Sequence, residues 1–114
     1  MSSYVVGVLR DVALGADIAE YLRTIDATLA PHGGRFLVHG TRAEVLEGEW
    51  DADLVVIGFP DRERARAWYD SEAYRPLIDL RTRNSTGTVL LVDGCPDGYR
   101  ATDFLAGPEA AGAL

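Results

Sequence analysis

Apolar residues along the chain fall into short runs, which predict strands, and into periodic stretches, which predict helices. Four runs are rich in β-branched and aromatic residues and predict strands: residues 4–9, 35–39, 54–59 and 88–93. After the first run, apolar residues recur every three to four positions, which predicts a helix over residues 14–30. The face concerned carries Ile18, Leu22, Ile25 and Leu29. Residues 43–47 are predicted to continue the second strand beyond a bulge or bend at Gly40.

The stretch from residue 59 to residue 83 holds four of the ten aromatic side chains and predicts two short helices. Asp61 is a suitable N-cap for the first helix, which is predicted to end near Asp70. A proline is tolerated in the first turn of a helix but not deep inside one, so the second helix is predicted to begin near Pro76.

The resulting order is β-α-β-β-α-β, which predicts an α+β, ferredoxin-like fold with a four-stranded antiparallel sheet and helices on one face. A sheet with one wet face should alternate apolar and polar residues, but these strands are apolar almost throughout. A second copy of the chain is the simplest cover for the other face, which predicts a homodimer built as an α/β barrel. Residues 1–94 would form this single domain, and residues 95–114 a C-terminal tail that could pack on the partner subunit.

The charge of the chain narrows the classes of partner. The net charge is −7 at pH 7, and all eleven basic residues are arginine. Nucleic acids and anionic membrane surfaces attract basic proteins, so neither is an expected partner. The N-terminal apolar run is too short for a signal or membrane segment. The single Cys95 excludes an intramolecular disulfide. Together these features favour a cytoplasmic location.

Three residues are candidates for acid–base catalysis. His39 would face the barrel interior if Phe36 faces the helices, and an imidazole there could act as a general base. The alternative is a structural histidine at the edge of the sheet. Glu47 lies near an indole in the sequence and could serve as a general acid, although such a residue more often fixes a turn or pairs with an arginine. Tyr69 carries a hydroxyl that must find a partner or reach water.

Five further residues are candidates for ligand binding. Arg81 falls on the apolar stripe of the last helix, where an arginine needs either a protein carboxylate, such as Glu47, or an anionic ligand. The two alternatives have equal weight. Aromatic residues could form a wall for a flat ligand, although Trp68 is better explained as core. The full set of ligand-binding candidates is Arg35, Trp50, Trp68, Tyr74 and Arg81.

No metal site or cofactor is expected from the sequence. The two histidines belong to different predicted elements and there is no cysteine cluster. Gly33 and Gly34 lack the context of a phosphate-binding loop.

Several segments taken together resemble one known family. They are YVVGVL at the start, Tyr21, GGRFLVHG (33–40), VLEGEW (45–50), VVIGFPDRERARAWYDSEAY (55–74) and LRTRNSTGTVLLVDG (80–94). Over residues 4–94 the chain resembles the domain-of-unknown-function 1330 family, small proteins of the dimeric α/β-barrel superfamily. The resemblance implies the fold and the dimer but no reaction. The superfamily includes cofactor-independent oxygenases, muconolactone isomerases, polyketide cyclases and stress-responsive barrels, and fold alone does not decide among them.

Two classes of function follow as hypotheses. In the first, the protein is a cofactor-independent enzyme that acts by acid–base chemistry on a small organic molecule of anionic or aromatic character. In the second, it is a non-catalytic dimeric barrel, such as a ligand carrier, a stress-responsive protein or an accessory interaction protein. An enzyme requires a pocket where several polar groups converge, whereas a structural dimer would pair those groups with one another.

Overall fold

The computed structural model describes residues 1–106 and contains four strands and three α-helices. In chain order they are β1 (Ser3–Arg10), α1 (Ala16–Leu29), β2 (Arg35–Val38), β3 (Asp53–Phe59), α2 (Arg62–Tyr69), α3 (Arg75–Thr82) and β4 (Thr86–Asp93). Short 3-10 turns occupy Ala30–His32 and Ala101–Ala106. No helix in this part of the chain has the length and apolarity needed to cross a bilayer.

The four strands form one antiparallel sheet in the order β2-β3-β1-β4. In the central strand β1, Val5 pairs with Ile57 of β3 and with Leu91 of β4. The order and directions confirm the predicted α+β, ferredoxin-like fold. Because side chains alternate along a strand, every second residue of each strand faces the helices.

The core lies between the sheet and the three helices, with Trp68 at its centre. Trp68 is 1% exposed and packs on the rings of Phe59 and Tyr74, with centroids 5.6 Å and 4.0 Å away. The other core side chains come from the sheet and from all three helices: Val5, Ile25, Leu29, Ile57, Ala65 and Leu77. Three aromatic residues of the stretch 59–83, namely Phe59, Trp68 and Tyr74, therefore belong to the buried core.

The second and third helices begin where the sequence places them. The backbone N–H of Arg64 donates to the Asp61 carboxylate at 2.8 Å, which makes Asp61 the N-cap of α2. Pro76 lies in the first turn of α3, where a missing N–H leaves no helical hydrogen bond unmade. The turn between them is held by Ser71, whose hydroxyl donates to the Trp68 carbonyl oxygen at 2.7 Å.

The face of the sheet that points away from the helices is largely apolar, and no element in the described part of the chain packs over it. On β4, Leu90 is 48% exposed and Val92 is 43% exposed. Val6 and Val8 of β1 share this face by alternation and are half-buried between the neighbouring strands.

The segment between β2 and β3 differs from the prediction. Residues 39–52 contain neither helix nor strand, so the expected continuation of β2 through residues 43–47 is wrong. Gly40 and Gly48 have φ values of 70° and 83°, in the left-handed region that a continuing strand does not visit. The chain therefore leaves the sheet after Val38 and crosses back to β3 as an extended surface loop.

The C-terminal part of the chain is described as far as Ala106. Beyond β4 it carries the 3-10 turn, and Tyr99 and Leu105 are exposed. The remainder of the predicted tail lies outside the described residues, and its packing on a partner subunit stays a prediction.

Candidate functional site

A cavity of about 650 Å³ lies between the sheet and α1. Its walls are mostly apolar and come from alternate residues of the sheet and from one face of the helix: Val5, Gly7, Leu9, Val55, Ile57, Ile18, Leu22 and Ile25. Gly7 lies in the middle of the sheet wall. A methyl group added there would meet only the Cβ atom of Val55, at the ordinary contact distance of 3.7 Å. The missing side chain at this position therefore leaves open space.

Two tyrosines on the cavity wall form a hydrogen bond with each other through their hydroxyl groups. The hydroxyl oxygens of Tyr21, on α1, and Tyr74, at the start of α3, lie 2.7 Å apart, within hydrogen-bonding distance. Burial raises the pKa of Tyr21 far above its ordinary value of 10.0, and the neighbouring Tyr74 adds to the rise. Arg81 opposes that rise without cancelling it. The Tyr21 hydroxyl is therefore neutral at physiological pH, and either tyrosine can donate in the bond between them.

Arg81 lines the same cavity from the last turn of α3 and is half-buried. Among residues 1–106, no carboxylate lies within 4.0 Å of its guanidinium, although six other arginines make such ion pairs: Arg10, Arg62, Arg64, Arg66, Arg75 and Arg83. Glu47, the internal partner considered from the sequence, is exposed and does not line the cavity. Of the two alternatives for Arg81, pairing within the described chain is not observed.

His39 reaches the cavity because β2 is irregular. Its ring lies 4.7 Å from that of Phe36, centroid to centroid, and both side chains line the cavity. The expectation that His39 faces away from Phe36 is therefore wrong. Phe36 pairs with Ile57, but Val38 pairs with Val56, so one extra residue stands in β2. Such a bulge shifts the alternation by one position and turns the next side chain to the opposite face.

The loop of residues 39–52 forms the mouth of the cavity. Thr41, Arg42, Val45 and Trp50 contribute to the wall from this loop. Trp50 remains 40% exposed. The loop is attached to the sheet by the Arg10 guanidinium, which donates to the Asp51 carboxylate at 3.0 Å.

Five of the eight candidate residues meet at this one cavity: His39, Trp50, Trp68, Tyr74 and Arg81. Trp68 contributes only a buried edge and belongs chiefly to the core, where its indole N–H donates to the Thr28 hydroxyl at 3.0 Å.

The other three candidates lie elsewhere. Glu47 is exposed on the surface loop. Tyr69 packs against the outer side of the core, with its ring 5.8 Å from that of Tyr74 and 6.0 Å from the Arg66 guanidinium carbon. Arg35 lies with Leu37 and Gly58 in a separate groove that Tyr4 also lines.

Tyr21 and Arg42 are cavity residues that the search for candidates missed. Tyr21 sits between Ile18 and Ile25 on the apolar stripe of α1, and a hydroxyl on such a stripe is a usable signal. No sequence pattern predicts that Arg42 lines the cavity, because its position depends on the course of an irregular loop. Within residues 1–106, no group of three or more histidine, cysteine or carboxylate side chains is arranged to hold a metal ion.

Comparison with known proteins places the chain in a family. The model of the domain of unknown function DUF1330 matches residues 2–95. The chain belongs to this family. No curated protein matches it.

Two solved structures share the fold of this DUF1330 protein at low sequence identity. The RPA0582 protein of unknown function from Rhodopseudomonas palustris superposes with a TM-score of 0.61 at 15% identity, over 83% of each chain. SnoaB, a cofactor-independent oxygenase from Streptomyces nogalater, superposes with a TM-score of 0.60 at 14% identity, over 87% of this chain and 98% of its own. At such identities the likeness establishes the fold alone.

Proposed function

We propose that this protein is a homodimer in which each subunit binds a small organic molecule in the cavity between its sheet and α1. The observation that carries the proposal is the cavity itself, about 650 Å³ in volume, apolar over most of its wall and lined at one side by Tyr21, Tyr74 and Arg81. Sites for small organic ligands typically have volumes of about 300–1,000 Å³ and combine apolar walls with a few converging polar groups. The cavity meets both conditions.

The exposed face of the sheet supports the dimer. All four strands contribute apolar side chains to this face, which also carries Arg35 and Thr88; the apolar ones are Val6, Val8, Leu37, Leu54, Val56, Leu90 and Val92. A contiguous apolar surface of this kind is typical of an interaction site. A second copy offers a surface of matching size and chemistry, and a two-fold arrangement covers both sheets at once.

Acid–base catalysis without a cofactor is the enzymatic form of this proposal. It is supported by the position of His39 on the cavity wall, where an imidazole can exchange a proton with a bound molecule. SnoaB shows that a protein of this fold can be a cofactor-independent oxygenase. Since Glu47 and Tyr69 lie outside the cavity, the role would fall to His39. The non-catalytic form is a carrier that binds the same molecule unchanged.

Gly7→Val tests the binding site without removing a polar group. The added side chain would point into the cavity from β1, and a β-branched residue suits a strand better than glycine does. Native mass spectrometry of the wild-type protein should show a dimer that carries a small molecule, either retained from the cell or added as the neutral probe 2-naphthamide. Gly7→Val should remain dimeric and lose that mass. Gly15→Val is the control, since Gly15 lies outside the cavity wall and has open space around it.

Either of two results would refute the binding proposal: a wild-type protein that retains no molecule and takes up neither 2-naphthamide nor the corresponding carboxylate, 2-naphthoate, or a Gly7→Val variant that binds as the wild type does. Once a retained molecule is identified, incubation with wild-type protein and with His39→Ala separates the two forms. Conversion that is lost in the variant supports the enzyme, and an unchanged molecule supports the carrier.

A further inference from the structure

The polar part of the cavity wall has more hydrogen-bond donors than acceptors. Each of the hydroxyls of Tyr21 and Tyr74 carries one proton, and their mutual hydrogen bond uses only one of the two. The Arg81 side chain also reaches the Tyr21 hydroxyl, but a guanidinium can only donate to it and does not take up a proton of the pair. The second proton is therefore left for a group outside the pair.

Arg81 adds a positive charge and further donors beside this pair. A guanidinium has five N–H donors and no acceptor. It lies close enough to the Tyr21 hydroxyl to lower the pKa of that group, although burial raises it by more. The absence of a carboxylate within 4.0 Å in the described part of the chain leaves this half-buried charge without an ionic partner there.

The other polar groups next to Arg81 already have partners. The Ser85 hydroxyl donates to the Arg81 carbonyl oxygen at 2.8 Å, and the Asn84 side-chain amide donates to Asp17 at 3.0 Å. The same Asp17 carboxylate accepts from Arg83 at 3.3 Å. The oxygens of Ser85 and Asn84 can still accept hydrogen bonds, but in the described part of the chain neither accepts one from the Arg81 guanidinium.

The exposed part of the cavity wall has no net negative charge. Asp53 is the only acidic residue on the cavity wall in the described part of the chain, and it lies exposed at the start of β3. Arg42, on the loop, offsets its charge.

A ligand that suits this wall supplies acceptors and one negative charge at one end and an apolar body at the other. A carboxylate matches the planar fork of a guanidinium with two parallel hydrogen bonds. A doubly charged phosphate is a poorer match, because only one half-buried cation faces it in a mostly apolar cavity. The rings of Tyr21, Phe36 and Trp50 on the wall favour an aromatic body, which they can contact by edge and face.

We propose that the cavity selects an aryl carboxylate, and that Arg81 together with the Tyr21–Tyr74 hydroxyl pair binds its carboxylate group. This inference rests on the proposed function, since it names the class of molecule that the same cavity takes.

Two probes of nearly equal shape test the selection: 2-naphthoate, which carries the charge, and 2-naphthamide, which does not. Isothermal titration of the full-length wild-type protein at pH 7 should show naphthoate binding about ten- to a hundred-fold more tightly than naphthamide, the range expected for hydrogen bonds to a charged group. Arg81→Gln should reduce this ratio several-fold, chiefly by weakening the binding of naphthoate, whose charge loses its cationic partner. Arg75→Gln is the matched control, because it removes an exposed arginine from the same helix and should keep the ratio.

The outcomes separate this inference from the proposed function. Equal binding of the two probes by the wild-type protein would overturn the selection for carboxylates and leave the binding cavity standing. A ratio that persists in Arg81→Gln would overturn the assignment to Arg81. Failure of both probes to bind would count against the proposed function itself.

Circular dichroism of each variant shows whether it is folded. Arg81→Lys provides a second variant, which keeps the positive charge but loses the two parallel hydrogen bonds of the guanidinium.

Discussion

The indole N–H of Trp68 donates to the hydroxyl of Thr28 at 3.0 Å, and this bond joins α2 to α1 in the interior of the protein. Thr28 is buried, and its hydroxyl donates a hydrogen bond to the Ile25 carbonyl oxygen at 2.6 Å. The largest side chain of the core therefore has its one polar atom satisfied by a neighbouring helix. This chain of two bonds fixes how the helices lie against each other beside the cavity.

Thr28→Val should lower the free energy of unfolding by about 1–3 kcal/mol. The substitution keeps the shape of the side chain but leaves the Trp68 N–H buried without an acceptor. Urea denaturation followed by tryptophan fluorescence measures the change. Thr24→Val on the same helix removes a hydroxyl that is bonded within its own turn and is not fully buried, so it should change stability by less. Equal effects of the two variants would contradict the role given to Thr28.

Tyr21→Phe and Tyr74→Phe should each destabilise the protein, and their effects should not add. Each single variant leaves the other hydroxyl without its partner. Because Tyr74 is only 2% exposed, Tyr21→Phe, which leaves the Tyr74 hydroxyl unpaired, should lower the free energy of unfolding by about 1–3 kcal/mol. The double variant removes both hydroxyls and should lose less than the sum of the single losses. A double-mutant cycle of urea denaturation midpoints measures the coupling, and strict additivity would show that the pair does not interact.

Ser3→Ala should reduce stability at neutral pH but not in acid. The Ser3 hydroxyl donates to the Asp93 carboxylate at 2.8 Å and, with Arg62 at 3.3 Å, holds the pKa of Asp93 below its ordinary value of 3.8. A lowered pKa in the folded state stabilises the protein above the ordinary value, and this contribution disappears as the pH falls through the folded value. Melting temperatures of the two proteins should differ at pH 7 and converge progressively as the pH is lowered below 3.8. The neighbouring Ser2→Ala is the control.

Leu90→Arg should convert the proposed dimer into a monomer. The substitution places a charge on the apolar sheet face, where a second subunit would have to desolvate it. Native mass spectrometry should then give the mass of one chain, 12.4 kDa, where the wild-type protein gives twice that value. Leu46→Arg makes the same change on the loop, at a side chain that is 85% exposed, and should stay dimeric. A wild-type protein that is monomeric at micromolar concentration would refute the barrel.

Local patterns predicted most of the fold because each acts within a few residues. The stripe through Ile18 and Ile25 marks α1, and Asp61 caps α2 through its own side chain, so both elements follow from short-range chemistry. The side of the sheet on which His39 lies depends instead on a bulge in β2. A bulge is set by pairing with β3, which is distant in the sequence, and alternation alone therefore assigned His39 to the wrong face.

The cavity residues likewise divide into those that local sequence patterns predict and those whose positions depend on the tertiary fold. Arg81 and Tyr74 could be selected from the sequence, because a polar group on an apolar helix stripe requires an explanation that periodicity makes visible. Tyr21 meets the same criterion, but it is not among the residues predicted from the sequence, because the residues around it on the stripe are all apolar. Trp50 could be selected because it is a large aromatic residue. Glu47, on the same loop, does not line the cavity. The side chains of an irregular loop follow no period, so the sequence pattern cannot predict which of them face a cavity.

The loop of residues 39–52 contributes a large part of the cavity wall but takes no part in the sheet or the helices. Residues such as Thr41, Arg42 and Val45 can therefore be exchanged, and the loop lengthened or shortened, at little expense to folding. The buried bond between Trp68 and Thr28 has no such freedom. Descendants of one such protein could acquire new ligands by drift in this loop while their scaffold stays constant, and directed evolution of binding would be best started there.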